Sequence, residues 1–223
     1  MSRPVAVLRP EPGNAATAGR LRAVGIEPIC LPLFAVRPLP WSLPHGAHDA
    51  LILTSANAVR QAGDQLTSLA SLPVYAVGPQ TAEAAHAAGL RVAHTGDGDG
   101  EALCRAASDQ GVSAALHLCG REHRLRVGGP IRTVVPVYAS DATALAGHAA
   151  AQLNGSVAMV HSARAGRRLA EVADRFEIDR SGIVIAAISE RAATAAGSGW
   201  AAVETANRPD DDHLVALARR LAD

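Results

Sequence analysis

The sequence predicts an α/β protein built from two similar halves. Three observations carry this expectation. Short apolar runs alternate with alanine-rich segments of helical length, the pattern of parallel sheets covered by helices on both faces. One stretch occurs twice: Leu53-Thr54-Ser55-Ala56-Asn57-Ala58-Val59-Arg60 is answered by Val160-His161-Ser162-Ala163-Arg164-Ala165-Gly166-Arg167. Each copy is followed by a second apolar run that opens an alanine-rich segment, at Tyr75-Ala76-Val77-Gly78-Pro79-Gln80-Thr81 and at Ala186-Ala187-Ile188-Ser189-Glu190-Arg191.

Val5–Leu8 is an apolar run read as the first strand, and Arg9-Pro10-Glu11-Pro12-Gly13-Asn14 is turn chemistry. Ala15–Val24 reads as a helix, with Ala18, Leu21 and Val24 on one face and Gly25 as its stop. Ile29-Cys30-Leu31 is a second strand, and Pro38, Pro40 and Pro44 make residues 35–48 an extended connection. Ala50–Leu53 is a buried strand, followed by the turn Thr54–Asn57 and a helix to about Ala62. Val74–Val77 is a strand, Gln80–Ala88 a helix stopped by Gly89, and Val92–Ala93 a short strand. Thr95-Gly96-Asp97-Gly98-Asp99-Gly100 reads as a loop, with Asp99 the candidate cap of a helix Glu101–Ser108.

In the remainder, Ala114–Leu118 is a strand ending at Cys119-Gly120-Arg121. Thr133–Tyr138 is a second extended connection, broken at Pro136. A helix near 141–153 precedes a strand Ser156–Val160, the second hydroxyl turn and a helix to about Ala173. Ile183–Ile188 is a strand, followed by a helix to about Ala196 and a strand Ala201–Val203. Asn207–Asp212 is a loop that caps the last helix, His213–Leu221.

A chain of 223 residues accommodates one large domain or two of about 110. With aromatic residues at only 3%, the core must be built from Ala, Val, Leu and Ile, which suits close packing of helix on sheet. Net charge is zero, so no global basic field attracts nucleic acid. All 21 basic residues are Arg. Absence of Lys excludes Schiff-base lysine chemistry and the P-loop. Arg suits bidentate carboxylate recognition, although a GC-rich coding source explains the same bias. Cys30, Cys104 and Cys119 are odd in number and widely spaced, which predicts buried free thiols in a reducing compartment. The apolar run after Met1-Ser2-Arg3-Pro4 is too short for a signal peptide, and none is long enough to span a bilayer. The expectation is a cytoplasmic protein.

Ligands of such folds sit at the carboxyl ends of strands, where the hydroxyl turns fall. Thr54, Ser55 and Asn57 offer hydroxyls, an amide and helix N–H groups to an anion. Taken alone they are equally ordinary N-caps. Their recurrence, with Ser162 matching Ser55 and Ser189 matching Gly78, raises the functional reading. Gly78 stands where a backbone approaches something closely or turns tightly, and Thr81 lies in the first turn of the helix that follows. Arg9 and Arg121 each follow a strand, as ligand partners or as solvated charges. The glycine–aspartate run at 95–100 fails the EF-hand pattern. His45 and His48 are weak metal candidates in a proline-rich connection. There is no dinucleotide fingerprint and no nucleophile elbow.

An ordered series of motifs then points to a family. It runs from a strand ending in Arg9-Pro10, through Leu31-Pro32-Leu33-Phe34 and Leu53-Thr54-Ser55-Ala56-Asn57-Ala58-Val59, to Ala76-Val77-Gly78-Pro79-Gln80-Thr81-Ala82. It continues with Val137-Tyr138, His161-Ser162-Ala163-Arg164, Ile188-Ser189-Glu190 and Arg208-Pro209. The series covers nearly the whole chain and resembles the uroporphyrinogen-III synthase family. Leu8 departs from the pattern, because many bacterial members carry Thr before the Arg.

The resemblance implies two flavodoxin-like parallel-sheet domains joined by a two-stranded ladder. One would be discontinuous, residues 1–35 and 140–223, and the other would span 36–139, with the active-site cleft between them. The implied reaction is cyclisation of hydroxymethylbilane with inversion of ring D and loss of water, without metal or organic cofactor. The substrate carries eight carboxylates, which suits hydroxyl turns, helix N-termini and Arg. The enzyme would fold the bilane so that a pyrrole attacks through a spiro intermediate, and would assist departure of hydroxide. Tyr138 matches the family's candidate for a general acid or hydrogen-bond donor; a buried hinge tyrosine is the plain alternative. By motif match Thr54, Ser55, Asn57, Gly78, Thr81, Ser162 and Ser189 would hold carboxylates, with charge from Arg9 and Arg164. The expected partner is this small molecule alone, bound by a monomer, with neither nucleic acid nor membrane. A two-domain binding module that closes on an acidic metabolite without chemistry is the competing reading.

Overall fold

The computed structural model describes residues 2–97 and 99–223. In chain order the elements begin with β1 (Val5–Val7), α1 (Gly13–Ala23), β2 (Pro28–Cys30), β3 (Phe34–Pro38), β4 (Leu51–Leu53) and α2 (Ala56–Gln61). A 3-10 segment, Asp64–Leu69, leads to β5 (Val74–Val77), α3 (Pro79–Ala87), β6 (Val92–Gly96), α4 (Gly100–Asp109), β7 (Ala115–Gly120) and β8 (Ile131–Ala142). Then come α5 (Gly147–Ala150), β9 (Val157–Val160), α6 (Ala163–Arg175), β10 (Val184–Ala187), α7 (Glu190–Ala196), β11 (Ala202–Thr205) and α8 (Asp211–Ala222). The chain divides into two compact units, Met1–Ala35 with Ala142–Asp223, and Val36–Asp141.

The first unit holds a five-stranded sheet in the order β11-β10-β9-β1-β2, and every pairing in it is parallel. Strands this apolar must be covered on both faces. Alternate residues accordingly enter different cores. Ala6 and Leu8 pack with Leu33, Leu169, Val172 and Ile185 on one side. Val5 and Val7 pack with Leu21, Met159, Leu214 and Ala218 on the other. Helices α6 and α7 meet closely at Gly166, where a Cβ would lie 2.7 Å from Ala192 O and 2.9 Å from Ala196 N.

The second unit holds a six-stranded sheet in the order β3-β8-β7-β4-β5-β6, again parallel from β8 to β6. Leu51, Leu53, Val74, Ala76, Leu116 and Leu118 face one core, and Ile52, Tyr75, Leu103 and Ala115 face the other. The chain crosses between units on β3 and β8. Leu39 N donates to Val137 O and Thr143 N to Leu33 O, both at 2.9 Å, so the two strands run antiparallel as a ladder.

The two sheets are circular permutations of one another. The repeated turns align β9 with β4 and β10 with β5, so the order β11-β10-β9-β1-β2 overlays β6-β5-β4-β7-β8. By the same overlay Arg9, after β1, is equivalent to Arg121, after β7. The strands beyond β4, namely β7 and β8, come last in their unit, whereas their equivalents beyond β9, namely β1 and β2, come first.

Several sequence expectations need correction. Residues 133–138 are not a broken connection but part of the twelve-residue β8. Pro136 is tolerated because the β7–β8 register shifts between Cys119 and Gly120, and proline without an N–H is accepted at such irregularities. The helix expected near 141–153 is short, because β8 extends to Ala142 and α5 begins only at Gly147. Thr95 and Gly96 belong to β6 rather than a loop, while Gly98 lies outside the described residues. Asp99 does cap α4, accepting from Ala102 N at 2.9 Å. Of the three thiols only Cys119 is buried, and Cys30 is exposed because β2 is an edge strand. Among the described residues no helix is long and apolar enough to cross a membrane, and no cluster of three metal-ligating side chains forms.

Candidate functional site

The repeated turns are built alike. Ser55, Ser162 and Ser189 each stand in extended backbone at the end of a strand and cap the helix that follows. Ser55 Oγ accepts from Asn57 N at 3.2 Å, Ser162 Oγ from Ala165 N at 3.1 Å, and Ser189 Oγ from Ala192 N at 3.3 Å. A cap uses a lone pair of the hydroxyl and leaves its proton to donate elsewhere. Capping and ligand binding are therefore compatible at one serine. Thr54, Ser55 and Asn57 are half-buried at the end of β4, and Ser162 is exposed at the end of β9.

The fourth turn lacks a side-chain cap. Gly78 has φ +75° and ψ 159°, and Pro79 opens α3. A Cβ on Gly78 would meet nothing within 4 Å, so the glycine serves the left-handed backbone and not a close approach among the described atoms. Its N–H is already given to Gly96 O at 2.7 Å. Thr81, in the first turn of α3, is 5% exposed.

In the first unit, Arg9 does not stand alone at the end of β1. Its Nη1 lies 3.4 Å from Asp211 Oδ1 and 3.3 Å from Thr17 Oγ1. Asp211, in the first turn of α8, also receives Thr17 Oγ1 at 2.9 Å, His161 Nε2 at 2.9 Å and Arg20 Nη1 at 3.1 Å. One buried carboxylate thereby gathers groups from β1, α1 and the β9 turn. Burial works against the Asp211 charge, but hydrogen bonds from His161 and Thr17 and the nearby positive groups hold its carboxyl below the usual range. Burial pushes the His161 imidazole down, against the opposing pull of Asp211. Arg164 lays its guanidinium over the Phe34 ring, 4.2 Å from the centroid.

Tyr138 lies in β8 opposite Gly120 of β7, and Arg121 N donates to its carbonyl at 2.7 Å. The ring is half-buried against the second unit's core. Among the described residues no group hydrogen-bonds the phenol hydroxyl. Arg121 itself is held with Arg37 on Asp141, whose carboxyl the two guanidinium hydrogen bonds keep below the usual range.

The expected residues thus form two sets. Arg9, Ser162, Arg164 and Ser189 belong to the carboxyl edge of the first sheet. Thr54, Ser55, Asn57, Gly78 and Thr81 belong to that of the second, with Tyr138 on β8 beside the end of β7.

A family model described as uroporphyrinogen-III synthase HemD matches residues 15–216. The chain belongs to the uroporphyrinogen-III synthase family. Members are hydro-lyases of tetrapyrrole biosynthesis that act on a small-molecule tetrapyrrole substrate. The chain resembles the crystal structure of uroporphyrinogen-III synthetase from Helicobacter pylori with a TM-score of 0.68 at 18% identity, covering 98% of this chain and 99% of that one. It also resembles a mutant uroporphyrinogen III synthase from Thermus thermophilus with a TM-score of 0.55 at 17% identity, over 97% and 98% of the two chains. No curated protein sequence matches significantly.

Within this member of the uroporphyrinogen-III synthase family, sequence reasoning missed the Asp211 cluster. The available signals were the run Asp210-Asp211-Asp212 at a helix start and a His at position 161 where the first copy has Thr54. It also passed over Gly120, whose signal was a glycine at the end of an otherwise apolar strand.

Proposed function

We propose that this chain cyclises hydroxymethylbilane to uroporphyrinogen III, inverting ring D and releasing water, and that the two sets of residues divide the substrate's carboxylates between them. The observation that carries this reading is the recurrence of one turn at aligned strand ends in both units, each serine capping its helix while keeping a proton to donate. In this reading Thr54, Ser55, Asn57 and Thr81 take carboxylates on the second unit, with Gly78 shaping the turn that presents them. Ser162, Ser189, Arg164 and Arg9 take them on the first.

The chemistry asked of the chain is modest in kind. A C–O bond breaks at the hydroxymethyl carbon, and a C–C bond forms to the substituted α-carbon of the ring D pyrrole to give the spiro intermediate. The older ring D C–C bond then breaks and re-forms at the other α-carbon, which loses its proton, while the departing hydroxide takes up a proton and leaves as water. No electrons enter or leave, so the balance calls for no redox group. The chain's tasks are to hold the bilane folded and to supply a proton to the departing oxygen. Tyr138 is the donor in this reading, supported by a hydroxyl with no hydrogen-bond partner among the described residues.

The first unit's strand order supports the flavodoxin-like description, since counted within the unit it is 2-1-3-4-5. The proposal is completed by a monomer acting in the cytoplasm. Its test is the isomer ratio of uroporphyrin formed when purified protein is added to freshly made hydroxymethylbilane. A shift from isomer I to isomer III is expected. An unchanged ratio with folded protein overturns the proposal and leaves a binding module.

A further inference from the structure

We infer that Gly120 is a positioning residue for the Tyr138 phenol, its missing side chain being the seat of the hydroxyl. The inference rests on Tyr138 acting as the proton donor. Gly120 is buried at the end of β7, and its backbone is not in the left-handed region, so conformation does not demand glycine there. Space does. A Cβ at this position would lie 2.8 Å from Tyr138 Cζ, 3.0 Å from its Oη and 3.1 Å from Cε2. All three nearest atoms belong to the hydroxyl end of that one ring.

The backbone here is held on two sides. Gly120 pairs with Tyr138 in the β7–β8 ladder, where Arg121 N donates to Tyr138 O at 2.7 Å. His123 Nδ1 donates to Gly120 O at 3.0 Å. Moving the main chain aside breaks these bonds. Swinging the ring breaks none, because the phenol hydroxyl has no hydrogen-bond partner among the described residues. A methyl group at position 120 therefore displaces the hydroxyl while the sheet stays in place. Shifts of about 1 Å in a reacting group cost on the order of a hundredfold in rate.

The test is a double-mutant cycle of Gly120→Ala with Tyr138→Phe, following isomer III formation under saturating and limiting bilane. The expected result is that Gly120→Ala lowers kcat about tenfold or more with KM within about twofold, and that the same change in the Tyr138→Phe protein lowers kcat no further. A merely structural glycine would cost equally in both backgrounds, and that outcome overturns the inference. So does an unchanged kcat in Gly120→Ala when Tyr138→Phe alone is impaired. If Tyr138→Phe alone is unimpaired, the donor reading falls first and this inference falls with it. Should Gly120→Ala fail to fold, Gly120→Ala combined with Tyr138→Ala decides: recovery of the melting transition confirms that the ring is what the methyl strikes, and no recovery overturns it.

Discussion

His161 Nε2 donates to Asp211 Oδ1 at 2.9 Å, and each side chain is only 8% exposed. The pair makes stability depend on pH in a definite direction. Burial lowers the folded pKa of His161 below 6.5, so below that pH the unfolded chain binds a proton that the folded chain does not. Stability is intact above about pH 6.5 and falls as the pH drops toward the folded value. His117, also pushed down by burial, adds a loss of the same sign. Asp211 adds a later one, complete above its ordinary 3.8 and lost as the pH falls through its lowered folded value. Thermal melts between about pH 7.5 and 5.5 should show a falling midpoint, less steep in His161→Gln. A flat wild-type profile contradicts the argument.

Removing the carboxylate altogether should be severe. Asp211→Ala strands Arg9, Arg20, Thr17 and His161 around a polar hole. Breaking a buried charge network of this kind costs about 3–5 kcal/mol. Urea unfolding of the variant measures it, and a loss below about 1 kcal/mol would show the cluster to be solvated.

Tyr138→Phe removes the one group read as a proton donor and leaves the ring in its seat by Gly120. General-acid contributions run from about a hundredfold to ten-thousandfold. A fall in kcat of roughly a hundredfold with little change in KM is expected. A fall of less than about threefold would assign the phenol to orientation only.

Single changes at the turns should act softly, because many contacts share one ligand. Ser55→Ala, Ser162→Ala and Ser189→Ala each lose a helix cap, worth about 0.5–2 kcal/mol of stability. Each should raise KM modestly and leave kcat within about twofold. Collapse of turnover in Ser55→Ala alone would sink the distributed picture.

Two helical glycines should respond in opposite senses to alanine. Gly19 is exposed in α1 with nothing within 4 Å of its would-be Cβ, so Gly19→Ala should stabilise by about 0.5–1 kcal/mol. At Gly166 the methyl meets backbone atoms of α7, which cannot swing away. Gly166→Ala should destabilise by about 1–3 kcal/mol. Chemical denaturation of the pair checks both signs against each other.

The parts legible in the sequence were those written in local pattern. Apolar runs located β1, β4, β5, β9 and β10 because buried parallel strands are continuous in hydrophobicity. The repeat located the serine turns because a strand-to-helix cap needs the same few side chains wherever it occurs. What stayed hidden depends on distance or on what is missing. Thr17 and Asp211 are 194 residues apart, and no spacing rule joins them. Pro136 argued against a strand that a register shift in its neighbour permits. Gly120 is informative only once Tyr138 is known to lie across it. Gly78 was legible as special, but its reason is backbone handedness and not proximity.

The permuted strand order has a consequence for birth on the ribosome. The second unit is one uninterrupted stretch, Val36–Asp141, and every pairing of its sheet is available once β8 has been made. The first unit must wait. Its pairing of Val5 with Val157 joins β1 to β9, so β1 can pair early with β2 but meets its second partner only after the whole intervening unit has been synthesised. Closing that loop is slow compared with the local pairings inside the insert. During elongation the nascent chain therefore carries β1 with one apolar edge still unpaired while the insert folds, and this interval is when the polypeptide is most exposed to aggregation and to chaperone capture.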